Sequence, residues 1–297
     1  MKKYQGFTTG KPFSSEQACV AYLFRKRWPW GFRCPFCGIM QRQTAPAYVV
    51  VCRYCRKQTS ITANTLMHGS KKNLVAWIRV ARQFCSTPQG LSARELQRLM
   101  ALSCYQTAWN WLQKIRRAAA FAESAPCHGT VLFTVHQLPA SICVGPDAVY
   151  IGLAMELDRG NERRIRQTRL NSGSMDEVAR AIGVLVEKNA TLVTTTPGLL
   201  SANIAPAGEN WRQPTQDQLE KSDLLFDRTV AWLKTVYRGT ISLRHLQGYL
   251  DEFCFRCNTS SWSDDLAVLD HLLTGLISQS VTAANHPTAT AREVSHD

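Results

Sequence analysis

Four cysteines in two short pairs constrain this chain more than any other feature. Cys34-x2-Cys37 is followed, after 14 intervening residues, by Cys52-x2-Cys55. Each pair presents two thiolates to one point, and four thiolates close a tetrahedral shell around Zn2+ with no position left for water. The spacing therefore predicts a structural zinc site that holds two β-hairpins together. A module this small buries too little apolar surface to fold unaided, so metal binding supplies the missing free energy. Cys254 and Cys257 repeat the spacing, but they lie in a helical pattern with no second pair nearby, and core side chains are their expected role. The cysteines number 11 in all. An odd count points away from a disulfide framework, and clustered thiols read better as metal ligands.

Charge is distributed unevenly along the chain. Residues 1–127 carry 20 Lys and Arg against three acids, Glu16, Glu95 and Glu123, whereas the remainder holds 15 basic and 19 acidic residues. Soluble surfaces normally mix both signs, so a stretch almost free of acids predicts a polyanionic partner, here double-stranded DNA. Arg25, Lys26, Arg27, Arg33, Arg53, Arg56 and Lys57 surround the cysteine pairs and are interleaved with Trp28, Trp30 and Phe32. The aromatics are expected to pack the small core and the cations to meet phosphates. The start, Met1 to Gly6, lacks the apolar stretch of a signal peptide, and no apolar run is long enough to cross a bilayer. These features predict a cytoplasmic, nucleoid-associated protein with no membrane partner.

Periodicity divides the rest. A short helix is expected over Ser15–Phe24. From Lys71 to Cys85, Leu74, Trp77, Ile78, Ala81, Phe84 and Cys85 recur at helical spacing. Ser92-Ala93-Arg94-Glu95 and Ser103-Cys104-Tyr105-Gln106 each place Glu or Gln three residues after Ser, the arrangement that satisfies free N–H groups at a helix start. Two helices, Leu91–Met100 and Cys104–Ala118, thus flank a tight turn. Leu96, Leu99, Ala108, Leu112 and Ile115 are expected inside; Tyr105, Gln106, Asn110, Gln113, Lys114 and Arg117 are expected outside. Amides near the start of a second helix and cations further along suit a recognition helix in a major groove. An ordinary αα-hairpin has the same pattern, and the neighbouring basic segment favours DNA.

Beyond Pro126 the pattern becomes β-like over Thr130–His136, Ala148–Leu157 and Arg163–Leu170. A helix over Met175–Lys188 leads to a strand at Ala190–Thr196 and an irregular connection over 197–215. Helices return at Gln216–Tyr237 and Ser242–Cys257. Strands that precede a helix and a further strand predict a mixed α/β layer. From residue 278 onward the chain is polar and rich in small residues, and disorder is expected.

The run from Arg27 to Gly38, then Cys52 to Ser60, resembles the ISXO-type insertion-sequence transposases. Leu91 to Gln97, Thr107-Ala108-Trp109 and Lys114 to Ala118 extend the resemblance, and Gly239-Thr240 with His245 to Asn258 resembles the end of that family's catalytic domain. The resemblance implies an RNase H-like fold in which three acids hold two Mg2+ ions for strand cleavage and joining, because hard cations need anionic oxygens beside the phosphate. This chain departs from that pattern. Thr134 stands where the first acid is expected, Thr196 where the second is expected, and Asp227 alone matches the third. Glu156 and Asp158 are the nearest strand acids, and His136 is either a substitute ligand or an ordinary strand side chain.

The sequence thus predicts a multidomain α/β protein: a zinc ribbon (1–68), a helical helix-turn-helix module (69–127), a degenerate RNase H-like transposase domain (128–277) and a disordered tail (278–297). The expected function is sequence-specific DNA binding by a transposase-derived homo-oligomer without strand transfer. Two alternatives accompany it: an active transposase with a rearranged acidic site that uses Mg2+, and a non-catalytic repressor or adaptor with other protein partners.

Overall fold

The computed structural model describes residues 13–144, 148–158, 161–195, 211–236 and 241–278. The expected tail from 279 onward, most of the 197–215 connection, Thr196 and Tyr237 lie outside the described residues. The chain divides into two compact units, Met1–Ile78 with Leu276–Asp297, and Arg79–Gly275. It is a mixed α/β structure with an N-terminal zinc ribbon.

In the first unit, helix α1 (Glu16–Arg27) starts at Ser15, whose hydroxyl accepts from the Ala18 N–H. It ends just before Pro29, a residue that cannot continue a helix. Two hairpins follow, β1 (Phe32–Arg33) with β2 (Met40–Gln41), and β3 (Val49–Val51) with β4 (Gln58–Ser60). Gly31 joins α1 to the first hairpin at φ +111°, where a Cβ would lie 2.6 Å from the Arg42 Cα. Only glycine fits there. Leu23, Phe24, Trp28, Phe32 and Ile61 are buried, and the Trp28 ring meets Phe24 and Phe32 edge-on at 5.0 Å each. Glu16 reaches forward to accept from the N–H groups of Leu74 and Val75 at 2.9 and 3.1 Å, capping helix α2 (Leu74–Cys85).

The second unit is built on a five-stranded sheet in the order β10-β9-β5-β7-β8. Strands β5 (Thr130–Gln137), β7 (Tyr150–Asp158) and β8 (Asn161–Leu170) run antiparallel in succession. Helix α5 (Met175–Leu185) then returns the chain to β9 (Thr191–Thr194), parallel to β5, and β10 (Trp211–Arg212) lies parallel to β9. A short parallel pair, β6 (Cys143–Val144) with β11 (Ile241–Ser242), stands apart. Alternation along β5 sends Val131 and Phe133 to the face covered by α5, and Leu132 to the opposite face, against Leu225 and Phe253. Those two residues belong to α6 (Gln216–Val236) and α7 (Leu243–Thr259).

Helix α7 also closes the sheet's β8 edge with two side-chain amides. Asn258 accepts from the Ile165 N–H and donates to the Ile165 carbonyl, while Gln247 accepts from the Arg169 N–H and donates to the Gln167 carbonyl, all at 2.9 to 3.0 Å. An uncovered strand edge invites pairing with another chain, and these amides occupy its backbone groups.

Helices α3 (Ala93–Leu99) and α4 (Tyr105–Ala122) fall in the same compact unit as the sheet. The buried Arg116 of α4 pairs with Glu252 of α7, and a Cβ on Gly275 of α8 (Asp265–Ile277) would overlap the Ala118 carbonyl. Ser92 caps α3 by accepting from the Glu95 N–H. At α4 the cap is Cys104 rather than the expected Ser103, with no side-chain bond. The cause lies in the turn: Ala101 takes φ +46° and the Leu102 N–H returns to the Gln97 carbonyl, which delays the next helix by one residue. Leu99, expected inside, is exposed at the end of α3.

Candidate metal centre and nucleic-acid interface

The two hairpins carry two knuckles of the same construction. In the first, the Gly38 N–H returns to the Cys34 carbonyl and the Cys34 N–H to the Ile39 carbonyl; in the second, Arg56 returns to Cys52 and Cys52 to Lys57, all at 2.9 to 3.0 Å. Each turn closes with a left-handed residue after its second cysteine, Gly38 at φ +74° and Arg56 at +61°. The four Sγ atoms of Cys34, Cys37, Cys52 and Cys55 lie within 4.8 Å of one another. These cysteines are positioned to bind a zinc ion.

The thiols titrate unevenly: Cys34 and Cys52 are lowered, whereas Cys37, despite the Ile39 N–H, is raised to about 11 by burial and by the neighbouring cysteines. The Cys55 N–H, aided by that of Tyr54 against the opposing effect of burial, draws the Cys52 thiol down to about 6. Gln41 adds a further support, donating through Nε2 to Cys52 Sγ at 3.3 Å while its Oε1 accepts from the Arg53 N–H at 3.2 Å. Cys254 is buried in the core as expected, and Cys257 packs beside it. Among the described residues, the ribbon quartet is the one group of three or more His, Cys, Asp or Glu side chains so gathered.

The cations around the ribbon separate into two sets. Arg25, Arg33, Arg53, Arg56 and Lys57 are exposed. Arg27, expected to face phosphate, turns inward instead. Its guanidinium donates to the carbonyls of Ser60, Ile61 and Ala63 at 3.2, 2.5 and 2.6 Å and lies over the Trp28 ring, tying α1 to the segment after β4. Lys26 is half-buried, and desolvation lowers its ammonium to about 8. The aromatics divide as well. Trp28 and Phe32 form core, but Trp30, expected with them, is 79 % exposed, because the turn closed by Gly31 throws it outward.

On α4, Tyr105, Gln106, Asn110 and Arg117 are exposed along one side, with Gln106 Nε2 donating to Asn110 Oδ1 at 3.1 Å. Gln113 and Lys114, expected fully outside, are half-buried, and desolvation lowers the Lys114 ammonium. Sequence reasoning singled out no polar side chain of α3 as a DNA contact. Arg94, Gln97 and Arg98 line a shallow pocket of about 460 Å³ together with Tyr105. The i, i+4 spacing of the two arginines was the available signal.

On the sheet, Thr134 faces α6, where its hydroxyl meets Ser222 rather than Asp227. The two oxygens are 2.6 Å apart, and His136 Nε2 lies 2.9 Å from Thr134 Oγ1 and 3.0 Å from Ser222 Oγ. His136 stacks on Phe226 at 4.6 Å, and its Nδ1 is 3.7 Å from Asp223 Oδ1. Burial lowers the imidazole, against the opposing pull of Asp223 and Asp227, so it is neutral at pH 7. Asp227 itself is exposed on α6. Glu156 is engaged elsewhere, with His128 Nδ1 at 2.9 Å and Arg164 Nη1 at 3.8 Å. Ser222 carried no sequence signal beyond being a small polar residue on the inner side of an amphipathic helix.

The family model described as transposase zinc-ribbon domain matches residues 14–58, which span α1, both knuckles and the start of β4. No curated protein and no solved structure matches the chain. No helix among the described residues is long and apolar enough to cross a membrane.

Proposed function

We propose that this chain is a transposase-derived, sequence-specific DNA-binding protein of the ISXO type that does not catalyse strand transfer. The observation that carries the DNA-binding reading is the transposase zinc ribbon in a strongly basic segment with a single acid. Residues 13–78 contain ten Lys and Arg and one acid, Glu16, which is engaged at the start of α2. In this reading the exposed Arg33, Arg53, Arg56 and Lys57 meet duplex phosphates. In this reading α3 and α4 form the helix-turn-helix: Gln106 and Asn110 offer amides to base edges, and Lys114 and Arg117 meet the backbone. The strand order, with three antiparallel strands followed by two parallel ones beside the first, supports an RNase H-like domain.

The loss of catalysis rests on the Thr134–Ser222 contact. Two-metal chemistry needs carboxylates converging from strand and helix. Here the strand offers a hydroxyl and a neutral imidazole, and these are bonded to a helix hydroxyl. Such a donor set does not fit a pair of Mg2+ ions. Incubating the zinc-loaded protein with labelled terminal-repeat DNA and Mg2+ or Mn2+ tests both parts: salt-sensitive, sequence-dependent binding without cleavage is expected. Strand transfer would favour a working transposase with a rearranged acidic site, built from Asp223 and Asp227. Binding that represses a promoter without cleavage would assign the same DNA-binding surface to a repressor or adaptor, homo-oligomeric or with other protein partners, in the cytoplasm and on the nucleoid.

A further inference from the structure

The knuckle end of the ribbon carries aromatic rings that the fold does not use. Phe36 and Tyr54 hold the same place in their knuckles, one residue before Cys37 and Cys55, and are 57 % and 68 % exposed. Both rings lie outside the buried core of the module, to which Leu23, Phe24, Trp28, Phe32 and Ile61 belong, and a module this small has little apolar surface to leave exposed. The thiolate cluster gathers both knuckles to one point, and Lys57 of the second knuckle lies 4.7 Å over the Phe36 ring of the first. Arg53, Arg56 and Lys57 are exposed around them, and Arg56 holds a left-handed conformation at φ +61° that glycine would hold at lower cost. The result is an end of the ribbon with exposed rings and cations, in a stretch, residues 13–78, whose single acid, Glu16, is held at the start of α2.

We infer that this knuckle end binds unpaired DNA bases, with Phe36 and Tyr54 stacking on successive bases and Arg53, Arg56 and Lys57 neutralising the phosphates between them. Duplex DNA has no free base faces to offer, since its bases stack on one another, so exposed rings would gain little from it beyond the cations' attraction. Single strands present both features at once, and stacking tolerates any sequence because every base has a π-face. Arg56 fits the same account: glycine would relieve the turn but remove a phosphate contact.

The test uses the full, zinc-loaded chain, with labelled oligo-dT and a labelled duplex of equal length titrated separately. Phe36→Leu with Tyr54→Leu keeps apolar bulk and removes the rings. It should weaken oligo-dT binding by about tenfold or more, change duplex affinity less than about threefold and leave zinc content at one per chain. Phe36→Trp with Tyr54→Trp should bind oligo-dT as well as the unmodified protein. Photocrosslinking of the unmodified protein to bromodeoxyuridine-substituted oligo-dT, which does not depend on any variant folding, should place adducts on Phe36 or Tyr54. Unchanged oligo-dT binding by the leucine variant, equal loss for both DNAs, or adducts confined to other residues would each overturn the inference. So would a variant whose self-association falls while oligo-dT binding holds, since the rings would then serve a second copy of the chain. An unmodified protein that binds duplex but not oligo-dT defeats this inference alone; one that binds neither defeats the proposed function as well.

Discussion

Arg116 and Glu252 meet at 2.7 Å with side chains almost wholly shielded from water, joining α4 to α7. Arg256 completes the cluster, donating to the other carboxylate oxygen at 2.7 Å and to the Thr87 carbonyl at 2.7 Å. Both guanidinium groups lie over rings, Arg116 over Tyr249 at 3.9 Å and Arg256 over Phe84 at 4.5 Å. A helix that presents Gln106 and Asn110 to solvent is thereby fixed on its other side to the sheet domain.

Removing one member of such a cluster leaves a buried charge unpaired, which costs about 3–5 kcal/mol. Arg116→Ala and Glu252→Ala should each destabilise the protein by that amount in urea unfolding, while Arg116→Met with Glu252→Leu and Arg256→Met, which removes all three charges together, should recover most of it. A single substitution costing less than about 1 kcal/mol would show that water reaches the pair. By the same argument a fragment ending at residue 125 strands Arg116 without its acid and should not keep α4 folded.

That cluster marks how far the sequence was legible. The ribbon could be read because two thiolate pairs at fixed spacing have few other uses, and the helices because their apolar residues recur in register. In the segment from His245 to Asn258 periodicity gave the helix and its core residues, but the polar residues stood out only as a resemblance, and packing now explains them singly. Glu252 and Arg256 close the ion cluster, Gln247 and Asn258 cover the β8 edge, and the His245 ring meets Trp109 of α4 at 4.8 Å. Each depends on a partner far away in the chain, which no periodicity reveals. The inward turn of Arg27 was hidden for the same reason: its acceptors are backbone carbonyls, which every residue has.

The zinc site should hold one ion per chain, and Cys34→Ser or Cys52→Ser should release it and unfold the ribbon. Binding requires thiolates, so acid competes with the metal: occupancy is complete at neutral pH and falls as the pH drops and the sulfurs take up protons. Chelator competition followed across pH checks both the stoichiometry and the direction. Zinc retained equally by the serine variants would defeat the assignment.

Specificity and affinity should separate on α4. Gln106→Ala or Asn110→Ala should narrow the gap between target and random duplex, by about 1–3 kcal/mol if each amide reads a base. Arg117→Ala should weaken both duplexes alike and reduce the salt dependence by about one phosphate contact. Lys114 is half-buried, so Lys114→Ala is expected to act in the same direction with an added stability cost. Competition binding at two salt concentrations resolves these effects, and the opposite pattern would mean that α4 lies along the backbone.

The last prediction concerns the neutral site between β5 and α6. Thr134→Asp restores a carboxylate where the ISXO resemblance expects one, beside Ser222 Oγ and His136 Nε2. In the unmodified protein, burial holds the imidazole below its usual value, so it stays neutral until the solution is acidic. A carboxylate within hydrogen-bond reach favours the charged ring, so the His136 pKa should rise in the variant. The sign for stability follows. Relative to the unmodified protein, the raised value favours the folded state at pH below the depressed imidazole value, and that gain disappears as the pH rises through the new folded value. NMR titration of the His136 ring measures the shift without relying on any activity. An unshifted ring would show that the residue at 134 points away from it. Cleavage is expected to remain absent in this single variant with Mg2+ or Mn2+, because one strand carboxylate with the exposed Asp223 and Asp227 still leaves the position of Thr196 neutral. Thr134→Asp combined with Thr196→Asp brings three carboxylates to the positions the resemblance requires. Cleavage that appears only in this combination, and that Asp227→Ala abolishes, would establish both the alignment and the decay of the site.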